Sequence, residues 1–167
     1  MVALIASCSS TKNVTTDNTT PKKEKKLAQQ AAIKQAVESR RYIIKMNRIY
    51  TNGGGWGELV PRFNFIVVDG EIASVSLPYA GRSYGARRIT GVNFNGHTIK
   101  YDMVNNEGKG NYKIDMKVAK GGDTFTFYID ISKSGYATVS LLNLMLGATT
   151  YNGVVVPVKQ TAMGNGR

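Results

Sequence analysis

The chain has 167 residues, of which 22 are lysine or arginine and 11 are aspartate or glutamate, so its formal net charge is +11. This length fits one domain with its own core and terminal extensions. Because Cys8 is the only cysteine and His97 the only histidine, a disulfide framework and a cysteine-based or histidine-rich metal site are excluded. We expect neither a metal nor a cofactor. A basic surface favours nucleic acid as the partner of a cytosolic protein, but the N-terminus predicts another compartment.

The first eight residues resemble a bacterial lipoprotein signal. The order Leu-Ile-Ala-Ser-Cys ends an apolar run with two small residues and Cys8. In such signals the peptide is cut before the cysteine and the thiol is lipidated. We expect residues 1–7 to be the remnant of a signal peptide that starts upstream. Lipid on Cys8 would then anchor the protein in the bacterial cell envelope, on its periplasmic face or at the cell surface, away from nucleic acid.

An ordinary buried N-terminal strand is the alternative. The polar, low-complexity run that follows, residues 9–20, could not continue a core. We therefore interpret residues 8–20 as the lipidated cysteine and a flexible tether. Residues 21–160 would form a single β-rich domain, and residues 161–167 a disordered tail.

A helix is predicted over residues 21–39, with Thr20 as its cap and proline at its first position. The segment is rich in helix formers. A modest apolar stripe predicts that the C-terminal half packs on a sheet: Leu27, Ala31, Ile33, Ala36 and Val37. The lysine-rich start should be solvated, although attraction to anionic lipid headgroups is an alternative.

The period changes from helix to strand at Arg41, and the first strand should reach Tyr50. A glycine-rich loop around Trp56 follows, at residues 51–57. It lacks the Gly-Lys-Ser/Thr ending of a phosphate-binding loop and opens no helix. We therefore expect no nucleotide site there.

The central hairpin spans residues 62–77. A three-residue loop, Val68-Asp69-Gly70, would place an apolar set that includes both phenylalanines on one core face: Phe63, Phe65, Val67, Ala73, Val75 and Leu77. A slip by one residue would turn that whole set into water, so we prefer this register. Pro78 should end the strand because it cannot donate to a ladder.

A second hairpin is predicted at Asn95-Gly96, which would place Phe94 beside His97. Alternating apolar residues predict further strands at residues 112–118, 125–131, 136–143 and 151–158. The fold class is therefore mainly β. We expect an antiparallel meander of about nine strands, forming a strongly curved sheet or a barrel, with one N-terminal helix.

The best ligand-binding candidate is the loop at residues 77–88. Its tyrosines offer amphipathic surface and its arginines offer forked donors for carboxylate, sulfate or phosphate groups. The candidate ligand-binding residues are Tyr79, Arg82, Tyr84, Arg87 and Arg88, together with Trp56. The alternative is structural: the tyrosines plug one end of the sheet and the arginines are solvated.

No catalytic residue is predicted. The chain has no Gly-x-Ser-x-Gly elbow, and His97 has no evident partner. The acidic residues are scattered on turns and on outward-facing strand positions. We therefore expect a protein that is not an enzyme.

Several segments together resemble the small envelope lipoproteins of Bacteroidetes that are catalogued only as a domain of unknown function. They are the lipoprotein start, residues 38–50, and Val75 to Tyr84 with its Leu-Pro-Tyr-x-Gly-x-x-Tyr pattern, together with the strand starts Gly-Asn-Tyr, Asp-Thr-Phe-Thr-Phe and Ser-Gly-Tyr-Ala-Thr-Val. The resemblance covers roughly residues 28–157. It implies an exported β-rich domain and brings no activity, ligand or site residue.

The sequence therefore favours a monomeric, non-catalytic binding or scaffolding module for an anionic glycan, lipid or protein partner. Two alternatives stay open. A carrier of lipid or lipoproteins would enclose an apolar cavity within the curved sheet. An inhibitor of a secreted enzyme would present Trp56 and the loop at 78–88. An open cavity would favour the carrier, and a filled core would favour the binding module.

Overall fold

The computed structural model describes residues 20–51, 54–79, 91–144 and 147–158. These residues form one helix, α1 (Thr20–Glu38), close to the predicted bounds. They also form nine strands: β1 (Arg41–Tyr50), β2 (Trp56–Glu58), β3 (Phe65–Asp69), β4 (Ile72–Pro78), β5 (Gly91–Asn106), β6 (Asn111–Lys120), β7 (Asp123–Ser132), β8 (Tyr136–Asn143) and β9 (Gly147–Pro157).

The strands form a closed antiparallel barrel. Their order is β2-β1-β3-β4-β5-β6-β7-β8-β9, and β9 pairs back onto β1. Strands β1 and β3–β9 complete the wall. The short β2 extends the sheet beside the last three residues of β1, while β3 pairs with the first five. The predicted meander is confirmed, and of its two forms the barrel is the one adopted.

Side chains fill the interior of the barrel. The predicted inward faces of β6 and β7 are confirmed: Tyr112, Ile114, Met116 and Val118, with Phe125, Phe127, Ile129 and Ile131. Among the largest fully buried side chains are Tyr42, Met46, Phe127 and Tyr151. An eight-stranded barrel is just wide enough for its inward side chains to fill. The inward side chains therefore pack into one apolar core.

Helix α1 packs on β1 and β9 through its C-terminal half, as predicted. Ile33, Ala36 and Val37 are buried, whereas Leu27 and the four lysines at positions 22–26 are exposed. Gln29 Nε2 donates a hydrogen bond to the Ser134 carbonyl at 3.1 Å. No helix in the described part of the chain is long and apolar enough to cross a bilayer.

The predicted register of the central hairpin is wrong. Its turn has two residues, Gly70 and Glu71, so Asp69 pairs with Ile72 and Val68 with Ala73. Gly70 has a φ of 62° at the first turn position, as a type II′ turn requires. The core face is therefore Ile66, Val68, Ala73, Val75 and Leu77.

This register leaves the phenylalanines outside. Phe63 is 57% exposed, and Phe65 and Val67 are only half-buried. Either register buries an apolar set, because Ile66 and Val68 are as suited to a core as the residues beside them. The prediction preferred the register that keeps both phenylalanines in the apolar core, and the two-residue turn gives the other register.

The predicted turn at Asn95-Gly96 is also wrong. Both residues lie inside β5, which pairs with β4 through residues 91–97 and with β6 through residues 97–106. A Cβ atom on Gly96 would lie 2.6 Å from Val118 Cγ1. Glycine is therefore required there by close packing, and not by a turn. Phe94 points inward and stacks on Phe125, while His97 is exposed, so the two do not meet.

Candidate functional site

A β-bulge at Asn47 turns two neighbouring side chains of β1 outward. Met46 pairs with Gly153 on β9, whereas Arg48 pairs with Asn152, so one extra residue lies between the two pairs. Met46 and Ile49 are buried, and Asn47 and Arg48 are exposed. Bulges often redirect side chains beside functional sites. Here the bulge directs a guanidinium group away from the barrel.

Gly153 allows the backbones to approach at this bulge. A Cβ atom at position 153 would overlap the carbonyl oxygen of Lys45 and touch the Met46 sulfur. A larger residue would therefore push β9 away from β1. The closeness of these strands sets the floor of a shallow outer pocket.

The pocket has a volume of about 250 Å³ and is named here the Arg48 pocket. It is lined by Asn47, Arg48, Tyr136, Ala137, Thr138, Asn152 and Gly153. Three strands contribute to it: β1, β8 and β9. Tyr136 is 69% exposed at its edge. The pocket therefore combines a cation, an aromatic ring and amide and hydroxyl groups.

Arg48 stacks on Trp56. Its Cζ atom lies 4.5 Å from the centre of the indole, which is itself 57% exposed. Within the described residues Arg48 forms no ion pair, although Glu58 is its partner on β2. Stacking holds a guanidinium by its face and leaves its N–H edge available to an anion. Arg48 is thus a positioned donor for carboxylate, sulfate or phosphate.

A chain of hydrogen bonds orders the polar side of the pocket. Thr138 Oγ1 donates to Asn152 Oδ1 at 3.2 Å, and Asn152 Nδ2 donates to the Tyr50 hydroxyl at 3.0 Å. The Tyr50 oxygen accepts in this arrangement. The side chains of Thr138 and Asn152 are therefore held in fixed orientations at the pocket that Arg48 borders.

The sequence-predicted site residues are only partly brought together. Trp56 lies beside the Arg48 pocket. Tyr79 is 8% exposed and belongs to the core. Next to it, the Tyr151 hydroxyl donates to the Pro78 carbonyl at 2.7 Å, and burial raises the pKa of that phenol well above its ordinary value. Arg82, Tyr84, Arg87, Arg88 and the lipidation candidate Cys8 lie outside the described residues.

Sequence reasoning missed Arg48, Tyr136 and Asn152. One local signal existed, since Met46 and Ile49 enclose two polar residues and so break the alternation of β1. That spacing is typical of a bulge. Nothing local in the sequence connects β1 with β8 and β9, about a hundred residues later.

The described residues contain no group of three or more histidine, cysteine, aspartate or glutamate side chains that could hold a metal ion. The side chains of the Arg48 pocket offer hydrogen bonding, charge and stacking.

Comparison with known proteins gives a family and a fold. The model of a family described as a domain of unknown function, DUF4251, matches residues 24–155. The fold is similar to the crystal structure of a DUF4251 family protein from Bacteroides eggerthii, with a TM-score of 0.66 and 16% sequence identity. The match covers 78% of this chain and 88% of that one. No curated protein matches the sequence significantly.

Proposed function

The chain belongs to the DUF4251 family, a domain of unknown function, and from that premise we propose that it is a non-catalytic binding module of the bacterial envelope that holds an anionic partner at the Arg48 pocket. The observation that carries the proposal is the bulge at Asn47. It directs Arg48 outward onto the exposed face of Trp56. There the guanidinium can form a bidentate contact with an anionic ligand.

The filled barrel favours a binding module over a carrier. A carrier needs an apolar cavity inside its curved sheet. Tyr42, Phe127 and Tyr151 instead occupy the interior with almost no exposure. Among the described residues, the Arg48 pocket offers a ligand surface on the outer wall instead.

The charge of the chain supports an anionic partner. A net charge of +11 attracts anions over the whole surface. The Arg48 pocket adds direction, because Arg48 on β1 and the polar side chains Thr138 on β8 and Asn152 on β9 border one depression. Carboxylate, sulfate and phosphate groups share the required geometry, so a glycan, a lipid headgroup and an acidic protein segment all present the same chemistry.

The envelope location rests on the lipoprotein-like start. Lipid on Cys8 would tie the protein to a membrane. The eleven residues between Cys8 and α1 would reach about 40 Å if fully extended. A barrel on such a tether can meet partners that are held well away from the bilayer.

The test uses the full chain with Cys8→Ser and three anionic probes: a hexa-aspartate peptide, a hyaluronan hexasaccharide and phosphatidylglycerol vesicles. Arg48→Ala should weaken binding to at least one probe by about tenfold or more, the effect expected for one lost charge-assisted pair. Binding should also weaken as salt is raised.

Arg62→Ala is the matched control. Arg62 is also an exposed arginine stacked on an exposed aromatic ring, at 4.6 Å from the centre of Phe63. The Arg62→Ala protein should bind the three probes like the wild type. Both variants should keep the wild-type melting temperature. Equal affinities of the two variants for all three probes would contradict the proposal.

A further inference from the structure

A second concave surface lies next to the Arg48 pocket on the outer wall. It spans β5–β8 and has a volume of about 430 Å³. We name it the Tyr128 groove, after the ring at its centre. The residues that matter here are Val104, Lys113, Asp115, Tyr128, Asp130 and Thr138. Tyr128 on β7 is 51% exposed, and Val104 on β5 is also exposed.

Polar groups surround the Tyr128 ring on both neighbouring strands. Tyr128 is paired with Asp115 on β6 and with Ser140 on β8. Paired strands lie about 4.8 Å apart, so both side chains are within reach of a group placed on the ring. An apolar face bordered by acceptors and hydroxyls is typical of small-molecule sites.

The carboxylates of the groove are held in place. Lys100 Nζ lies 2.7 Å from Asp115 Oδ2 and 3.0 Å from Asp102 Oδ2. Asn111 Nδ2 donates to both oxygens of Asp130, at 2.7 and 2.8 Å. These contacts fix the acceptors in position before any ligand arrives, which lowers the ordering cost of binding.

The charged groups of the groove suit hydroxyls rather than an anion. Asp102, Asp115 and Asp130 line it together with Lys113, and Lys100 pairs with two of these carboxylates. The groove therefore offers more acceptors than cations, in contrast with the +11 of the whole chain. It complements an uncharged group that has one apolar side and many hydroxyls, which is a description of a sugar ring.

The groove and the Arg48 pocket adjoin each other. Thr138 lines both, and it is paired with Asp130 on β7 and with Asn152 on β9. The row of neighbours runs from Lys113 through Asp130, Thr138 and Asn152 to Arg48. Four strand-to-strand steps separate its ends, a distance of about 19 Å. One elongated ligand can therefore occupy both surfaces.

We propose that the Arg48 pocket and the Tyr128 groove are two subsites for a single glycan chain. The groove takes an uncharged sugar ring stacked on Tyr128, and the pocket takes an acidic group of the same chain. This inference rests on the proposed function, since it names the anionic partner as an acidic polysaccharide.

The test uses the full chain with Cys8→Ser and three probes that each have six units. Hyaluronan hexasaccharide alternates acidic and uncharged sugars, N-acetylchitohexaose has only uncharged ones, and hexa-aspartate has charge without sugar. The variants are Tyr128→Ala, Arg48→Ala and, as the control for loss of an exposed ring, Phe63→Ala. Calorimetry gives the affinities, and amide chemical shifts give the location of each probe.

Hyaluronan hexasaccharide should bind the wild type best. Tyr128→Ala and Arg48→Ala should each weaken it by about tenfold, the scale of one lost stacking contact or charged pair. N-acetylchitohexaose should bind more weakly, shift amides of β6–β8, and respond to Tyr128→Ala alone. Phe63→Ala should change neither affinity.

The failures of the two proposals are distinguishable. If Arg48→Ala reduces binding while Tyr128→Ala behaves like Phe63→Ala, the glycan inference is overturned and the anion pocket stands. If only hexa-aspartate binds, and Arg48→Ala weakens that binding, the glycan inference is again overturned and the anion pocket stands. If Tyr128→Ala weakens N-acetylchitohexaose and Arg48→Ala affects no probe, the anion pocket fails. If neither hexasaccharide binds, the glycan inference is overturned.

Discussion

The hydroxyl oxygens of Tyr42 on β1 and Tyr101 on β5 lie 3.1 Å apart, close to the C-terminal half of α1. The Tyr101 hydroxyl also lies 3.4 Å from the Val37 carbonyl, to which it donates. Burial raises the pKa of Tyr42 well above 10.0, and the neighbouring Tyr101 raises it further. Burial likewise raises the pKa of Tyr101. These two phenols therefore connect the helix and the barrel only while they keep their protons.

Stability should fall at alkaline pH. The unfolded chain loses tyrosine protons near pH 10, whereas the folded barrel holds those of Tyr42 and Tyr101 to higher pH. The folded state then binds more protons, so the free energy of unfolding is constant below about pH 10 and decreases above it. Urea denaturation at pH values from about 8 to about 11 measures this decrease in the free energy of unfolding.

Tyr42→Phe should flatten that decrease, because one of the protons is no longer involved. Tyr136→Phe, at an exposed position, is the matched control and should follow the wild type. An identical slope in all three proteins would show that the Tyr42 phenol does not couple folding to pH.

Gly96→Ala should destabilise the barrel by about 1–3 kcal/mol through overpacking. The new methyl group would lie 2.6 Å from Val118 Cγ1 and 2.7 Å from the Ala119 carbonyl oxygen. Asn95→Ala, at the exposed neighbouring position, should stay within about 0.5 kcal/mol of wild type. Chemical denaturation compares the two. Similar small effects at both positions would contradict the close packing of β5 on β6.

Ile66→Ala should cost more than Phe65→Ala. Ile66 is fully buried, and its truncation should lower the free energy of unfolding by about 2–5 kcal/mol. Phe65 is half-buried on the outer side and should cost less, in spite of its larger side chain. Urea denaturation of the two variants under one condition decides the register of the central hairpin. The reverse order would restore the three-residue loop.

Gly153→Ala should reduce both stability and binding at the Arg48 pocket, because the added methyl group would separate β9 from the bulge in β1. Gly57→Ala is a suitable control, since its new Cβ would make only an ordinary contact, 3.5 Å from Ile49 Cγ2. Melting curves and titration with hexa-aspartate measure the two effects. Undiminished affinity in a folded Gly153→Ala protein would show that the bulge does not shape the pocket.

The parts of the fold that could be predicted are those whose periodicity is local. The alternation from Tyr112 to Val118 identifies an inward face by itself, and the apolar positions Ile33, Ala36 and Val37 do the same for α1. The two wrong predictions both concern turns. The Asn95-Gly96 pair has the chemistry of a hairpin turn, but its glycine serves a close contact with a strand that is more than twenty residues away.

The candidate site could be predicted only at Trp56. Arg48 faces Asn152 and Tyr136 because β9 closes the barrel on β1, a contact between distant parts of the chain. Short-range patterns carry no information on which distant strands become neighbours. The polar pair inside Met46-Asn47-Arg48-Ile49 indicates a bulge, but not what the bulge faces.

The pairing of β1 with β9 also determines when the barrel can close during synthesis. Tyr42 is paired with Pro157, so β1 needs β9 for its second edge. During synthesis both β1 and β8 would expose unpaired backbone groups to any other extended chain until the eleven residues of β9 have been made. A chain that stops before Gly147 lacks β9. Its unpaired edges on β1 and β8 should therefore pair with strands of another molecule, so that the truncated chains assemble edge to edge.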